Sequence, residues 1–432
     1  MSERVLAFDQ ALEEVLTQAR SGGGARGVEV VELLAGAGRV LAAAVVADRD
    51  QPAFDRSTRD GYAVHAGDVA KALRVVGSVR AGESWTGAAL GEGEAIEIMT
   101  GAPVPAGANA VVMVEHTTLV EGTLRVEAGR ALTVGENVVP RGAETVAGNV
   151  VLPVGRVLGA AEISVAASCG LAKVQVFARP TVAIVATGDE LVELDEPMET
   201  WQIRNSNSYA LAALAEAAGG VGKRLAVARD TLGELRAQVA EGREADLLLL
   251  SGGVSMGKYD LVEQVLREFR AEFFFTGALI QPGKPVVFGR IPRHPEMRGS
   301  FASLRMTAKN EQLQDRSAPA WTYFFGLPGN PVSTQVCFAL FVAPMLRALA
   351  GRTEIAPVFV EARLAEEVKG GARVTRFLPA ELSGGWDGVE VRVVGWQGSG
   401  DVVANARGNG YVVLPAGVEH FPVGLTVRVL LR

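Results

Sequence analysis

Apolar residues Phe8, Ala11, Leu12, Val15 and Leu16 recur at helical spacing, which predicts an amphipathic helix ended by SGGGARG. The pattern then changes. Short runs (LRVVGSV, EAIEIM, NAVVMVEHTTLV, TLRVEAG) stand between Gly, Pro and Asn and read as strands of a compact β module over residues 51–140. The flanking residues 1–50 and 141–178 form one discontinuous unit of helix and linker. Beyond Arg179-Pro180, the apolar runs PTVAIVATGDEL, KRLAVARD and ADLLLLSGG each precede a helical pattern. Runs without polar alternation are buried on both faces, so residues 179–350 predict an α/β domain with a mostly parallel sheet. A ligand of such a sheet sits beyond the carboxyl ends of its strands. Alternation returns from about Ala356, in VEVRVVGW and LTVRVLL, and gives a small β domain over 351–432. A mixed-charge stretch at about 293–320 has no clean period and reads as an inserted surface loop.

Composition supports several folded domains: the 432 residues are 48% hydrophobic, and 51 glycines suit many tight turns. A net charge of -7 argues against a broad nucleic-acid face, so an anionic ligand needs a locally positive site. Cys169 and Cys337 make neither a CxxC pair nor a disulfide framework, which points to a reducing, cytoplasmic setting. The histidines (65, 116, 294 and 420) are far apart and lack zinc-helix spacing. MSERVLAFDQALEEVL lacks the regions of a signal peptide, and the apolar run Val336 to Leu346 is short for a membrane span, so no membrane association is expected.

Candidate chemistry gathers at the strand ends. GGVSMGKY approaches the phosphate-binding pattern G-x-x-x-x-G-K-[ST] through Gly252, Gly257 and Lys258, but Tyr259 cannot supply the small hydroxyl that ligates Mg²⁺ there. A P-loop ATPase is therefore disfavoured, while anion binding by the turn, with Ser255 and Asp260 nearby, is retained. GLPGNPVST offers a second glycine turn before a helix, at Pro328, Gly329, Asn330 and Ser333. TGDEL places Asp189 and Glu190 at a strand end, and Asp230 and Asp260 should leave the same sheet edge. Such acids either hold Mg²⁺ or cap helices. Lys284 in PGKP is either an oxyanion contact or a solvated turn residue. Asp60, before Gly61, reads by itself as a turn.

In order, DGYAV, TGAPVPAGANAVV, GENVVPRG, TGDEL, SGGVSMGKYD, PGKP and GLPGNPVS, followed by ANARGNGYVVLP, resemble the molybdopterin molybdenumtransferase family of bacterial MoeA and the gephyrin E domain. The resemblance implies a four-domain subunit that forms a homodimer, with a MoaB/MogA-like α/β domain, an inserted β-rich module and a C-terminal barrel-like domain. It also implies a reaction in which adenylylated molybdopterin, molybdate and Mg²⁺ give molybdenum cofactor and AMP. Carried over by motif, Asp60, Glu190, Asp230 and Asp260 are catalytic, with Glu190 and Asp260 as Mg²⁺ ligands. Ser333 and Lys284 match molybdate and phosphate contacts, Thr100 and Gly101 a dimer-facing loop, and Arg204 and Arg290 further anion contacts. Ser206, Gly252, Gly253, Ser255, Gly257, Pro328, Gly329 and Asn330 complete the substrate-binding set. An adenylyltransferase and recipient molybdoenzymes are the implied partners. Thr58-Arg59, Asn109 and Gln281 depart from the family pattern. Two other readings are a molybdopterin adenylyltransferase, which would match only residues 179–350, and a gephyrin-like scaffold.

Overall fold

The computed structural model describes residues 4–22, 24, 27–253, 259–293 and 321–432. Ser255, Gly257, Lys258, the side chain of Asp260 and the stretch 294–320 fall outside the described residues.

The central sheet has six strands in the order Val221–Arg224, Thr181–Ala186, Leu247–Ser251, Trp321–Leu327, Val287–Pro292 and Glu272–Phe275. The first four run parallel, Val287–Pro292 runs antiparallel to them, and Glu272–Phe275 pairs antiparallel with Val287–Pro292. Alternate side chains feed two cores: Val182, Ile184, Leu249 and Phe325 on one face, and Ala183, Val185, Leu250 and Phe324 on the other. Burial on both faces is what the unbroken apolar runs require. From Thr181–Ala186 the chain steps outward to Val221–Arg224, then returns across to Leu247–Ser251. The crevice between the first and third of these strands is therefore a switch point, and registers Ala186↔Ser251 and Ser251↔Leu327 bring Thr187, Gly252 and Pro328 to its edge.

Residues 331–349 form one continuous helix, long and apolar enough to span a membrane by length alone, yet 83% of it is buried inside the protein. It is a core helix. A π turn over Phe338–Val342 precedes Pro344, whose missing N–H cannot continue the α-helical ladder. Against this helix packs Phe8–Gly22, through Ala11, Val15, Leu16 and Ala19, while Val5–Leu6 pairs with Gly277–Ala278. The opening segment is thus part of the α/β core, not of the discontinuous unit expected from its place in sequence. That unit begins at Val28–Glu32, which pairs with Lys173–Phe177, and is joined by Val45–Val46 with Val150–Leu152.

The β module is a six-stranded sheet spanning residues from Gly61 to Val126, with an apolar cluster on each face. The C-terminal domain is a five-stranded barrel that closes where Thr375–Gly385 pairs with both Gly388–Val393 and Gly410–Leu414. Ile280–Gln281, just before PGKP, pairs with the start of Thr375–Gly385 and ties the α/β domain to the barrel.

A buried clasp holds the base of the sheet. Arg293, 9% exposed, donates to Asp246 Oδ1 at 2.8 Å and to Thr322 Oγ1 at 3.1 Å. Asp246 Oδ2 accepts from the Thr181 backbone N–H and hydroxyl. Arg293 and Thr322 stand on either side of residues 294–320, and Pro292 pairs directly with Trp321.

Candidate functional site

At the carboxyl edge of the parallel strands lies a cavity of about 590 Å³. Ligand sites of small molecules have this size. Its floor is the SGG turn after Leu247–Ser251, and one wall is the PGN turn after Trp321–Leu327. Gly252 (φ +95°) and Gly253 (φ +69°) occupy left-handed backbone that glycine adopts without cost. A Cβ on Gly252 would stand 2.4 Å from the Thr187 carbonyl oxygen, so the turn exists only with glycine there. Gly252 N donates to Leu327 O at 3.2 Å, which sets the two turns side by side. Asn330 and Pro331 start the core helix at the cavity wall, where the positive end of the helix dipole favours an anion.

The acids divide. Glu190 and Asp230 both border the cavity. Asp189 instead accepts from Asp230 N at 3.1 Å and stitches two strand ends together, while Arg229 donates to the carbonyls of Asp189 and Leu191. The Glu190 carboxylate folds over Gly188, where a Cβ would meet its Oε2 at 2.6 Å. Among the described residues no cluster of three His, Cys, Asp or Glu could hold a metal. Two carboxylates beside a ligand cavity do fit Mg²⁺, which commonly takes one or two carboxylates plus water and ligand oxygens.

Arg204, Ser206, Gly253, Pro328 and Gly329 border the same cavity. Lys284 is exposed and Pro285, its neighbour, borders the cavity. Ser333 is buried within the first turn of the core helix and does not line it. Arg290 does not serve as the expected anion contact: its guanidinium donates twice to Glu272, at 2.7 and 2.9 Å, and stacks over Trp321. Its charge is already committed on the antiparallel side of the sheet.

Asp60, Thr100 and Gly101 sit together in the β module and do not border the cavity of their own chain. Asp60 Oδ1 accepts from the Thr100 backbone N–H at 2.6 Å and from its hydroxyl at 2.7 Å. These two bonds, the backbone one foremost, hold the Asp60 carboxyl below the ordinary carboxylate range. Gly101 (φ +86°) makes the turn that aims Thr100 at it.

Gly400, Val402, Asn207 and Thr187 are among the cavity residues that escape a reading of the sequence. Gly400 and Val402 arrive from the C-terminal domain, anchored by Val332 N donating to Ser399 O. Asn207 and Thr187 lie inside recognised motifs but carry no local signal of their role. Among the described residues the Thr187 hydroxyl, on a residue only 3% exposed, finds no hydrogen-bond partner. An orphaned buried hydroxyl is costly, so Thr187→Val is expected to stabilise the α/β domain by about 1 kcal/mol. Thermal denaturation checks this as a rise of roughly 2–4 °C, and a fall would show that the hydroxyl is satisfied.

Fold and site together define a multidomain protein with a ligand-sized cavity at the switch point of its α/β domain. Residues 6–170 match the MoeA N-terminal region (domain I and II), 183–348 a probable molybdopterin binding domain, and 361–431 the MoeA C-terminal region (domain IV). A molybdopterin molybdenumtransferase of Staphylococcus aureus is 33% identical over 403 residues, spanning 91% of this chain and 88% of its own. One from a Nostoc species is 34% identical over 420 residues, spanning 93% and 88%. The crystal structure of a molybdopterin biosynthesis moeA protein from Pyrococcus horikoshii superposes with a TM-score of 0.76 at 26% identity, covering 99% of this chain and 100% of that one. The chain belongs to the molybdopterin molybdenumtransferase family, transferases of molybdenum cofactor biosynthesis.

Proposed function

We propose that this chain inserts molybdenum from molybdate into adenylylated molybdopterin, with AMP and molybdenum cofactor as products. The observation that carries the reading is the pairing, in one cavity, of two glycine-turn backbones with the carboxylates of Glu190 and Asp230. Backbone amides at Gly253, Gly329 and Asn330 would bind the phosphate and molybdate oxygens, giving the local positive potential that the chain's net charge of -7 does not. Arg204 and Lys284 would add charge at the rim. Glu190 and Asp230, joined by Asp260, would hold Mg²⁺, which supplies charge neutralisation on the phosphoanhydride oxygens when bound. Water then cleaves that anhydride, and AMP departs.

Asp60 and Thr100 are exposed and do not border the cavity of their own chain. A homodimer in which one subunit's β module faces the other's cavity would bring them to the reaction. The two cysteines are free and buried, which suits the cytoplasm. The test is incubation of purified protein with adenylylated molybdopterin, Mg²⁺ and molybdate. Molybdate-dependent AMP release is expected, and a folded protein that releases none overturns the proposal.

A further inference from the structure

Asn207 stands in the first turn of helix Ser206–Ala217 and borders the cavity. Its side-chain amide nitrogen donates to Gly329 O at 2.7 Å and to Ser251 Oγ at 3.1 Å, with Thr334 Oγ1 further off at 3.5 Å. Gly329 O can only accept, so the amide orientation is set by chemistry: nitrogen toward the turns. One side chain thereby ties the strand end before SGG to the PGN turn. Thr334 extends the tie, since its hydroxyl lies 2.5 Å from Pro328 O and 3.1 Å from Asn330 O.

We infer that Asn207 is a positioning residue that locks the two glycine turns into one cradle and leaves the Ser251 hydroxyl proton to be donated to an anionic ligand oxygen. The two turns already share the backbone bond from Gly252 N to Leu327 O, and Asn207 adds a side-chain tie between them. Gly252 and Gly329 are close enough that a Cβ on Gly329 would touch Gly252 Cα at 3.5 Å, but backbone contact of that kind does not set an orientation. Ser251 is 2% exposed and borders the cavity. Because its oxygen accepts from Asn207, its own O–H is free of that bond and points elsewhere. Backbone amides held at a fixed separation bind an anion without reorganising, which is where positioning acts on affinity.

This inference rests on the molybdopterin reading of the cavity, and its test separates the two. Wild type, Asn207→Ala, Asn207→Asp and Ser251→Ala would be compared for KM and kcat in molybdate-dependent AMP release, with thermal melting alongside. Asn207→Asp keeps the shape but turns a donor into a charged acceptor facing Gly329 O. The expected result is a KM for adenylylated molybdopterin raised about tenfold in Asn207→Ala and further in Asn207→Asp, with kcat changed by less than about threefold. Ser251→Ala should raise KM with melting unchanged. A role in bulk packing alone would make the near-isosteric aspartate the milder variant, and that order, or an unchanged KM in all three, overturns the inference. Absence of AMP release from wild type overturns the functional reading instead.

Discussion

Gly252→Ala is expected to cost the α/β domain about 1–3 kcal/mol and to weaken substrate turnover by roughly 10²-fold. Two independent constraints converge on this position. Its φ of +95° is strained for any L side chain, and the added Cβ would stand 2.4 Å from the backbone carbonyl oxygen of Thr187. A flexible side chain could step aside, but a carbonyl at the end of a central strand cannot. The SGG turn must therefore shift, and with it the Gly252 N–H bond to Leu327 O that aligns the two turns. Steady-state turnover and chemical denaturation read the two effects separately. Near-normal values for both would mean that the turn is looser than its geometry requires.

The second large effect lies far from the cavity, at the opposite end of the sheet. Arg293→Ala should destabilise the protein by about 3–5 kcal/mol, because it breaks the buried ion pair with Asp246 and the bond to Thr322. Asp246 would keep its bonds from Thr181 but lose the charge 2.8 Å away. The double variant Arg293→Met, Asp246→Asn removes both charges and should recover a substantial part of the loss. A double-mutant cycle by denaturation measures the coupling, and additive losses would argue against a buried pair. Catalytic constants measured well below the melting temperature should stay near wild type.

The cavity's frame was legible because parallel strands buried on both faces leave unbroken apolar runs, and glycine turns at their ends have few other uses. TGDEL, SGG and PGN could all be placed at one sheet edge for that reason. Asn207 could not, since its partners are 44, 122 and 127 residues away and only the folded sheet brings them together. Arg290 was misread for the converse reason. A lone arginine in a strand looks available in sequence, whereas pairing across the antiparallel register Glu272↔Arg290 commits it. The helix Phe8–Gly22 showed its apolar face but not which core it serves. That choice is made by the 331–349 helix, which offers an apolar surface more than 300 residues downstream.

The Asp60–Thr100 pair shows where a motif and its chemistry separate. Both residues were singled out by family resemblance, and in the fold they bond each other on the β module rather than facing the cavity of their own chain. In the proposed homodimer they would contribute to turnover at the other subunit's cavity.

The central claim is that Glu190 and Asp230 act at this cavity on the molybdopterin substrate. Its most direct test is molybdate-dependent AMP release by the Glu190→Gln, Asp230→Asn double variant against wild type, at saturating substrate and Mg²⁺. A fall in kcat of at least about 10²-fold with melting preserved is predicted. A double variant that releases AMP at the wild-type rate would contradict the account.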